Sequence, residues 1–254
     1  MKRVHELIIE VLAEEENVSN CEQEIIDSTP LASYSLSANQ KILWRQYQLE
    51  HNNEINVSLA ISIYKKLDIA RLQQAAVILA KRHTALRTIF VTEADKPIQC
   101  VLGSARIQLC EVDVSSWQQD RLNQLMIKAA HHPFDIKQGP PLRITLFKSA
   151  MAESVLLLTA PLIACDYQSL VILAVELCLL YQADGTDNGD QMASFASLSA
   201  TQQYRDFVDW QNQILENRVD NNLWTYCQKN FPSEQQNLNL FTDWSRSTSQ
   251  HSQT

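Results

Sequence analysis

The chain has 254 residues, 45% of them apolar and 20% charged, with a formal net charge of -8. That composition supports a folded core, excludes disorder as the main state, and argues against a nucleic-acid partner, because phosphate binding draws on a basic surplus. With only 4 glycines there is neither a GxGxxG nor a GxxxxGK[ST] stretch, which excludes nucleotide-binding enzymes built on those loops.

The residues from Met1 open with a Lys-Arg pair that mimics a secretory signal, but Glu6 and Glu10 interrupt the apolar stretch and Glu14 to Glu16 follow it. Val4, Leu7, Ile8, Val11 and Leu12 share one face, so 3–16 reads as an amphipathic helix that packs back on its own domain, in preference to a docking helix for another protein, with Glu15 to Thr29 a polar linker. A second helix runs from Ser35 to Glu50 through Ile42, Leu43, Trp44 and Tyr47. Asn56 to Tyr64 alternates strictly, with Val57, Leu59, Ile61 and Ile63 opposite Ser58, Ala60 and Ser62, as in a half-buried strand. Asp68 caps a helix that runs through Leu72, Ala75, Ala76 and Leu79 to His83. Strands follow at 86–91, 98–102 and 107–112, then a helix from Ser115 with Leu122, Leu125, Met126 and Ala129 on one side. Leu142 to Phe147 and Val155 to Thr159 are strands, and the second, nearly all apolar, belongs at the centre of a sheet. Tyr167 to Tyr181 is a helix, Asp184 to Ser197 a loop, and 201–215 and 219–230 are helices. From Phe241 the chain is an aperiodic polar tail. Strands and helices interleave without a regular βαβ beat, so the fold class is α+β: one mixed sheet with helices packed on it.

The six cysteines, Cys21, Cys100, Cys110, Cys165, Cys178 and Cys227, form no CxxC and no zinc spacing with a histidine, and their scatter points to a reducing compartment rather than a disulfide framework. No run approaches a membrane span, and a soluble cytoplasmic protein without a membrane partner is expected.

Five segments, in order, resemble the condensation domain of nonribosomal peptide synthetases. Ser35 to Trp44 (SLSANQKILW) is similar to the family's opening motif. Arg82 to Phe90 (RHTALRTIF) resembles RHExLRTxF, with Thr84 where Glu is usual. Pro133 to Ile136 followed by Gly139 to Arg143 resembles PFDL…GPLLR. Gln203 to Gln211 resembles QYxDYAxWQ, and Leu240 to Asp243 sits where the family reads LPTD. The resemblance implies a single chloramphenicol-acetyltransferase-like lobe at 29–242, preceded by the helix and linker (1–28) and followed by the tail (243–254). It ends where the family's first lobe ends.

Two departures shape the function that the resemblance implies. The family's chemistry centres on HHxxxDG, where the second His serves the acceptor amine as it attacks the donor thioester. Here the aligned segment is Pro161-Leu-Ile-Ala-Cys-Asp-Tyr167. Pro161 and Leu162 replace both histidines, Tyr167 replaces the Gly, and only Asp166 is kept. A positioned base contributes about 10²- to 10⁴-fold, and an aliphatic side chain contributes none of it. The second departure is the missing second lobe, which in the family closes the tunnel. The resemblance also implies that Asp166 pairs with Arg87 of the LRT motif as a fold-holding ion pair. Pro161 lacks an N–H, so the strand before it ends at about Ala160.

Other tempting groups read as structural. His131-His132 lies where a helix ends. Cys165 has no base in its own segment, although His83 approaches it in space if the family fold holds. Trp44, Trp210 and Trp224 are core anchors. The expectation is a catalytically inactive condensation-like module with no resident metal or cofactor. It docks a carrier protein or a synthetase or polyketide synthase subunit, and the phosphopantetheine arm belongs to that partner. The alternatives are half of a split condensation enzyme completed by a second-lobe chain, self-association of the exposed lobe surface, or a decayed remnant.

Overall fold

The computed structural model describes residues 27–49, 55–104, 107, 109–115, 119–149, 154–183 and 202–217, together with 225–226 and 229–230. The readings of a helix at 3–16, a loop at 184–197 and a tail from Phe241 lie outside those residues, as does most of the helix at 219–230. The chain divides into two units, Met1–Asn212 and Gln213–Thr254. The first contains every strand given below.

The elements in order are β1 (Asp27–Ser35), α1 (Ala38–Leu49), β2 (Asn56–Ile63), α2 (Ile69–Arg82), a 3-10 turn (Thr84–Arg87), β3 (Thr88–Glu93), β4 (Lys96–Ser104), β5 (Leu109–Asp113), α3 (Gln119–His131), β6 (Arg143–Lys148), β7 (Ser154–Pro161), α4 (Tyr167–Ala183) and α5 (Tyr204–Asn217). The α+β class holds. The strands, however, form two sheets rather than one, a three-stranded β1-β4-β3 and a four-stranded β2-β7-β6-β5. The larger is mixed, since β5 and β6 run parallel with α3 as their crossover and the other pairs are antiparallel. The apolar β7 sits inside it, as its composition predicts.

β1 is a correction to the sequence reading. Its first residues fall in the stretch read as linker, and Pro30 with the small residues around it conceals the strand. It pairs with β4 through two register shifts beside Pro30, where an edge strand tolerates a missing N–H. Other corrections are to boundaries. Leu86 lies in the 3-10 turn, while α3 and α5 start at Gln119 and Tyr204 rather than at Ser115 and Thr201.

Local chemistry accounts for the well-read elements. Asp68 caps α2 by accepting from the Arg71 N–H at 3.2 Å. Leu72, Ala75, Ala76 and Leu79, four positions of one helical stripe, are all buried. They meet Leu170, Leu173, Leu177 and Leu180 of α4 and the inward residues of β6 and β7 in the main core, against which Val57, Leu59, Ile61 and Ile63 of β2 pack. On the opposite side Leu125 and Ala129 of α3 cover Val112, Phe147 and Leu157. A third cluster joins Trp44 and Tyr47 of α1 to Phe90, Phe134, Ile136 and Ile163.

Candidate functional site: the position aligned with the family histidines

The segment after β7 is a tight turn leading into α4. Pro161 O accepts from the N–H groups of Ala164 and Cys165 at 2.9 and 3.1 Å. Strand β7 includes Pro161, one residue beyond the expected end. At this point the ladder bond to β2 is donated by Leu162 N–H to Ile55 O at 2.8 Å, so the missing proline donor costs nothing on that side.

Leu162 and Pro161 line a cavity of about 20 Å³, shared with Leu43, Gln46, Tyr47, Ile55, Ile136 and Ile163. Such a volume holds about one water. Among the described residues its lining contains no histidine, carboxylate or amine, and none of the lining residues is suited to deprotonate an amine near neutral pH.

Asp166 and Arg87 do not come together. Asp166 is exposed, and its Oδ1 accepts from Ser169 N–H at 2.8 Å and Ser169 Oγ–H at 2.6 Å. It is the N-cap of α4, and these bonds hold its carboxyl below the usual carboxylate range. Arg87 instead donates from Nη1 to Leu102 O on β4. Family resemblance pointed to an ion pair, whereas the local sequence Asp-x-x-Ser ahead of an apolar run carried the cap signal. Tyr167 is the first residue of α4 and is exposed.

The other motif residues hold this turn and its neighbours. Ser37 and Gln40 form a reciprocal capping box at the start of α1. Ser37 Oγ accepts from Gln40 N–H at 3.1 Å, and Ser37 N–H donates to Gln40 Oε1 at 3.0 Å. The buried Gln40 then donates from Nε2 to Ile163 O at 3.1 Å, tying α1 to the turn. The start of α5 closes the same region. Tyr204 Oη lies 2.8 Å from Ser37 Oγ, and Gln211 Oε1 accepts from Ala38 N–H at 2.8 Å. Gln203 Oε1 accepts from Thr84 N–H at 3.0 Å and Thr84 Oγ1–H at 2.8 Å. Arg143 is buried over the Phe134 ring at 4.2 Å and donates to His132 O and Pro133 O. The histidine pair is therefore a helix end: the His132 ring nitrogen Nδ1 lies 3.1 Å from Pro133 O, and burial, then the Arg143 charge, pushes its pKa down.

A larger cleft of about 740 Å³ opens between α4 and the start of α5, and His83 and Cys165 both line it. His83 Nε2 lies 2.7 Å from Glu176 Oε2, which also ion-pairs Arg82 at 3.3 Å. Burial pushes the Cys165 thiol up to about 12, so near neutrality it is protonated and a poor nucleophile. Trp210 lines this cleft at 58% exposure and is not the core anchor that its helical spacing suggested; Trp44 is, and Trp224 lies outside the described residues. Cys100, Cys165 and Cys178 are free thiols, whereas Cys110 is disulfide-bonded, a correction to the reading of all six as reduced: spacing along the chain does not show which cysteines the fold brings together. Among the described residues no group of three or more His, Cys, Asp or Glu is placed to hold a metal, and no helix is long and apolar enough to cross a membrane.

A sequence profile of the Condensation domain family matches residues 31–254, and the chain belongs to that family. It is 30% identical over 257 residues to gramicidin S synthase 2 of Brevibacillus brevis, covering 96% of this chain and 5% of that protein. It is 33% identical over 187 residues to the isonitrile lipopeptide synthase of Mycobacterium tuberculosis, covering 72% of this chain and 7% of that one. Two solved structures share the fold. The starter condensation domain of rhizomide synthetase superposes with a TM-score of 0.62 at 19% identity, over 72% of this chain and 44% of that chain. The condensation domain of the monacolin K polyketide synthase gives 0.62 at 20% identity, over 79% and 43%. The chain thus spans a small fraction of the synthetases and less than half of these condensation domains.

Proposed function

We propose that this chain is a non-catalytic condensation-family module that engages carrier proteins or partner subunits of a peptide or hybrid polyketide–peptide assembly line. The observation that carries the reading is Leu162, which stands where the family has its second histidine, in an apolar cavity of about 20 Å³. Around it the framework is intact. Gln40, Thr84, Gln203, Tyr204 and Gln211 hydrogen-bond one another's elements across the lobe. A lobe that keeps its scaffold and lacks its base retains a surface for recognition without the proton transfer. The thioester arm belongs to the carrier, and among the described residues the Leu162 cavity offers it no base.

The test is binding of the purified chain to phosphopantetheinylated carrier proteins of its own pathway, measured by biolayer interferometry. Saturable binding to at least one carrier or synthetase subunit is expected. No binding to any of them removes the docking reading. Amide formation that appears only when a chain carrying the second lobe is added supports the split-enzyme reading instead.

A further inference from the structure

The four sheet edges are not alike. β1 contains Pro30 and two register shifts. The outer edge of β3 is met by Ile136 O, which accepts from Phe90 N–H at 2.9 Å. β5 is five residues long, carries Glu111 and Asp113, and gives its Leu109 N–H to Gln73 Oε1 at 3.0 Å. Prolines, bulges, charges and covering groups are the usual protections of an edge against another strand. Among the described residues β2 has none of them. It is the edge of the larger sheet, eight residues long, uncharged, free of proline, and in unbroken register with β7.

Its exposed backbone groups can be assigned. Leu162 N–H bonds Ile55 O, which makes Asn56 and Pro161 a non-hydrogen-bonded pair. By alternation Ser58, Ala60 and Ser62 turn their N–H and C=O groups outward, and among the described residues no strand pairs with them. The residue order is symmetric in kind about Ala60: Val57-Ser58-Leu59-Ala60-Ile61-Ser62-Ile63. Run antiparallel against itself, Ser58 meets Ser62, Leu59 meets Ile61, Val57 meets Ile63 and Ala60 meets Ala60. A twofold interface requires this self-complementarity.

We propose that two copies of this chain associate by pairing β2 antiparallel with β2 about a twofold axis at Ala60. The joined sheet has eight strands, and the half-buried Val57, Leu59, Ile61 and Ile63 of both copies form one continuous apolar face. The axis is perpendicular to the sheet, so α4 of each copy, which packs on β2, lies on the same side. Val171, Val175 and Leu179 of α4 are exposed in the single copy. The inference does not depend on the carrier reading.

Sedimentation velocity of the full chain over a wide concentration range tests it. Ala60 and Ser62 are exposed, so A60K, A60E and S62K leave the fold intact, as circular dichroism checks. The expected result is a reversible wild-type dimer. A60K or A60E alone raises its dissociation constant about tenfold or more by setting like charges face to face. An equimolar mixture of A60K and A60E re-forms the dimer. A wild-type chain that is monomeric at every concentration overturns the proposal. So does a dimer that A60K, A60E and S62K all leave unchanged.

Discussion

Asp166 caps α4 through Ser169 and needs no charged partner to do so. As the N-cap of α4 it contributes about 1 kcal/mol, and removing it should show that loss. We expect Asp166→Ala to lower unfolding stability by that amount in urea titrations, with Asp166→Asn nearly neutral. The pH dependence has a definite sign. Ser169 holds the folded-state carboxyl below its unfolded value. The contribution of ionised Asp166 is therefore present above the unfolded carboxylate range and is lost as pH falls through the lowered folded value. The stability gap between wild type and Asp166→Asn should shift in favour of Asn only in strong acid. A gap that shifts near neutrality contradicts the assignment. Cys165 gives a second residue-level expectation. With its thiol pushed up to about 12 in the core, it should resist maleimide in the native state, while the exposed Cys178 labels before it. Peptide mapping after brief labelling reads this directly. Such roles were partly legible: Asp68 announces its cap by spacing, the Ser37–Gln40 box went unread inside a helix taken to start at Ser35, and the Asp166 partner was misassigned because motif resemblance outweighed the nearer Ser169.

At the scale of elements, the periodic segments were the legible ones. The alternation of 56–63 and the stripe of α2 survive because each buries a face that its residues already share. What could not be read was pairing. Whether the strands form one sheet or two depends on which edges meet, and residue order does not encode that. β1 escaped notice because edge strands tolerate Pro30 and polar residues. The β3–β4 turn is another local departure. Its two central residues, Ala94 and Asp95, lie at φ 46 and 61, in the left-handed region that favours glycine and asparagine. The double substitution A94N/D95G should raise stability by about 1 kcal/mol with no change in the fold, measured by thermal and urea unfolding. No gain contradicts the strain assigned to this turn. The contact between α5 and the 3-10 turn is a third case. Gln203 and Thr84 share two hydrogen bonds, and a double-mutant cycle of Q203A with T84A should give a coupling of about 1 kcal/mol. Additive losses contradict it.

At the scale of the whole molecule, the chain keeps the family's lobe and its motif network, and on the proposed reading Pro161 and Leu162 stand where the family has its two histidines. Five short motifs in order made the family and the fold class readable from sequence. The fate of the site was readable only as an absence, and the cavity of about 20 Å³ around Leu162 adds its geometry. The measurement that tests this most directly is the intact mass of an acceptor-loaded carrier protein after incubation with a donor-loaded carrier and the purified chain. The account predicts no amide product above the level formed without the chain. Product that accumulates in proportion to the added chain contradicts it.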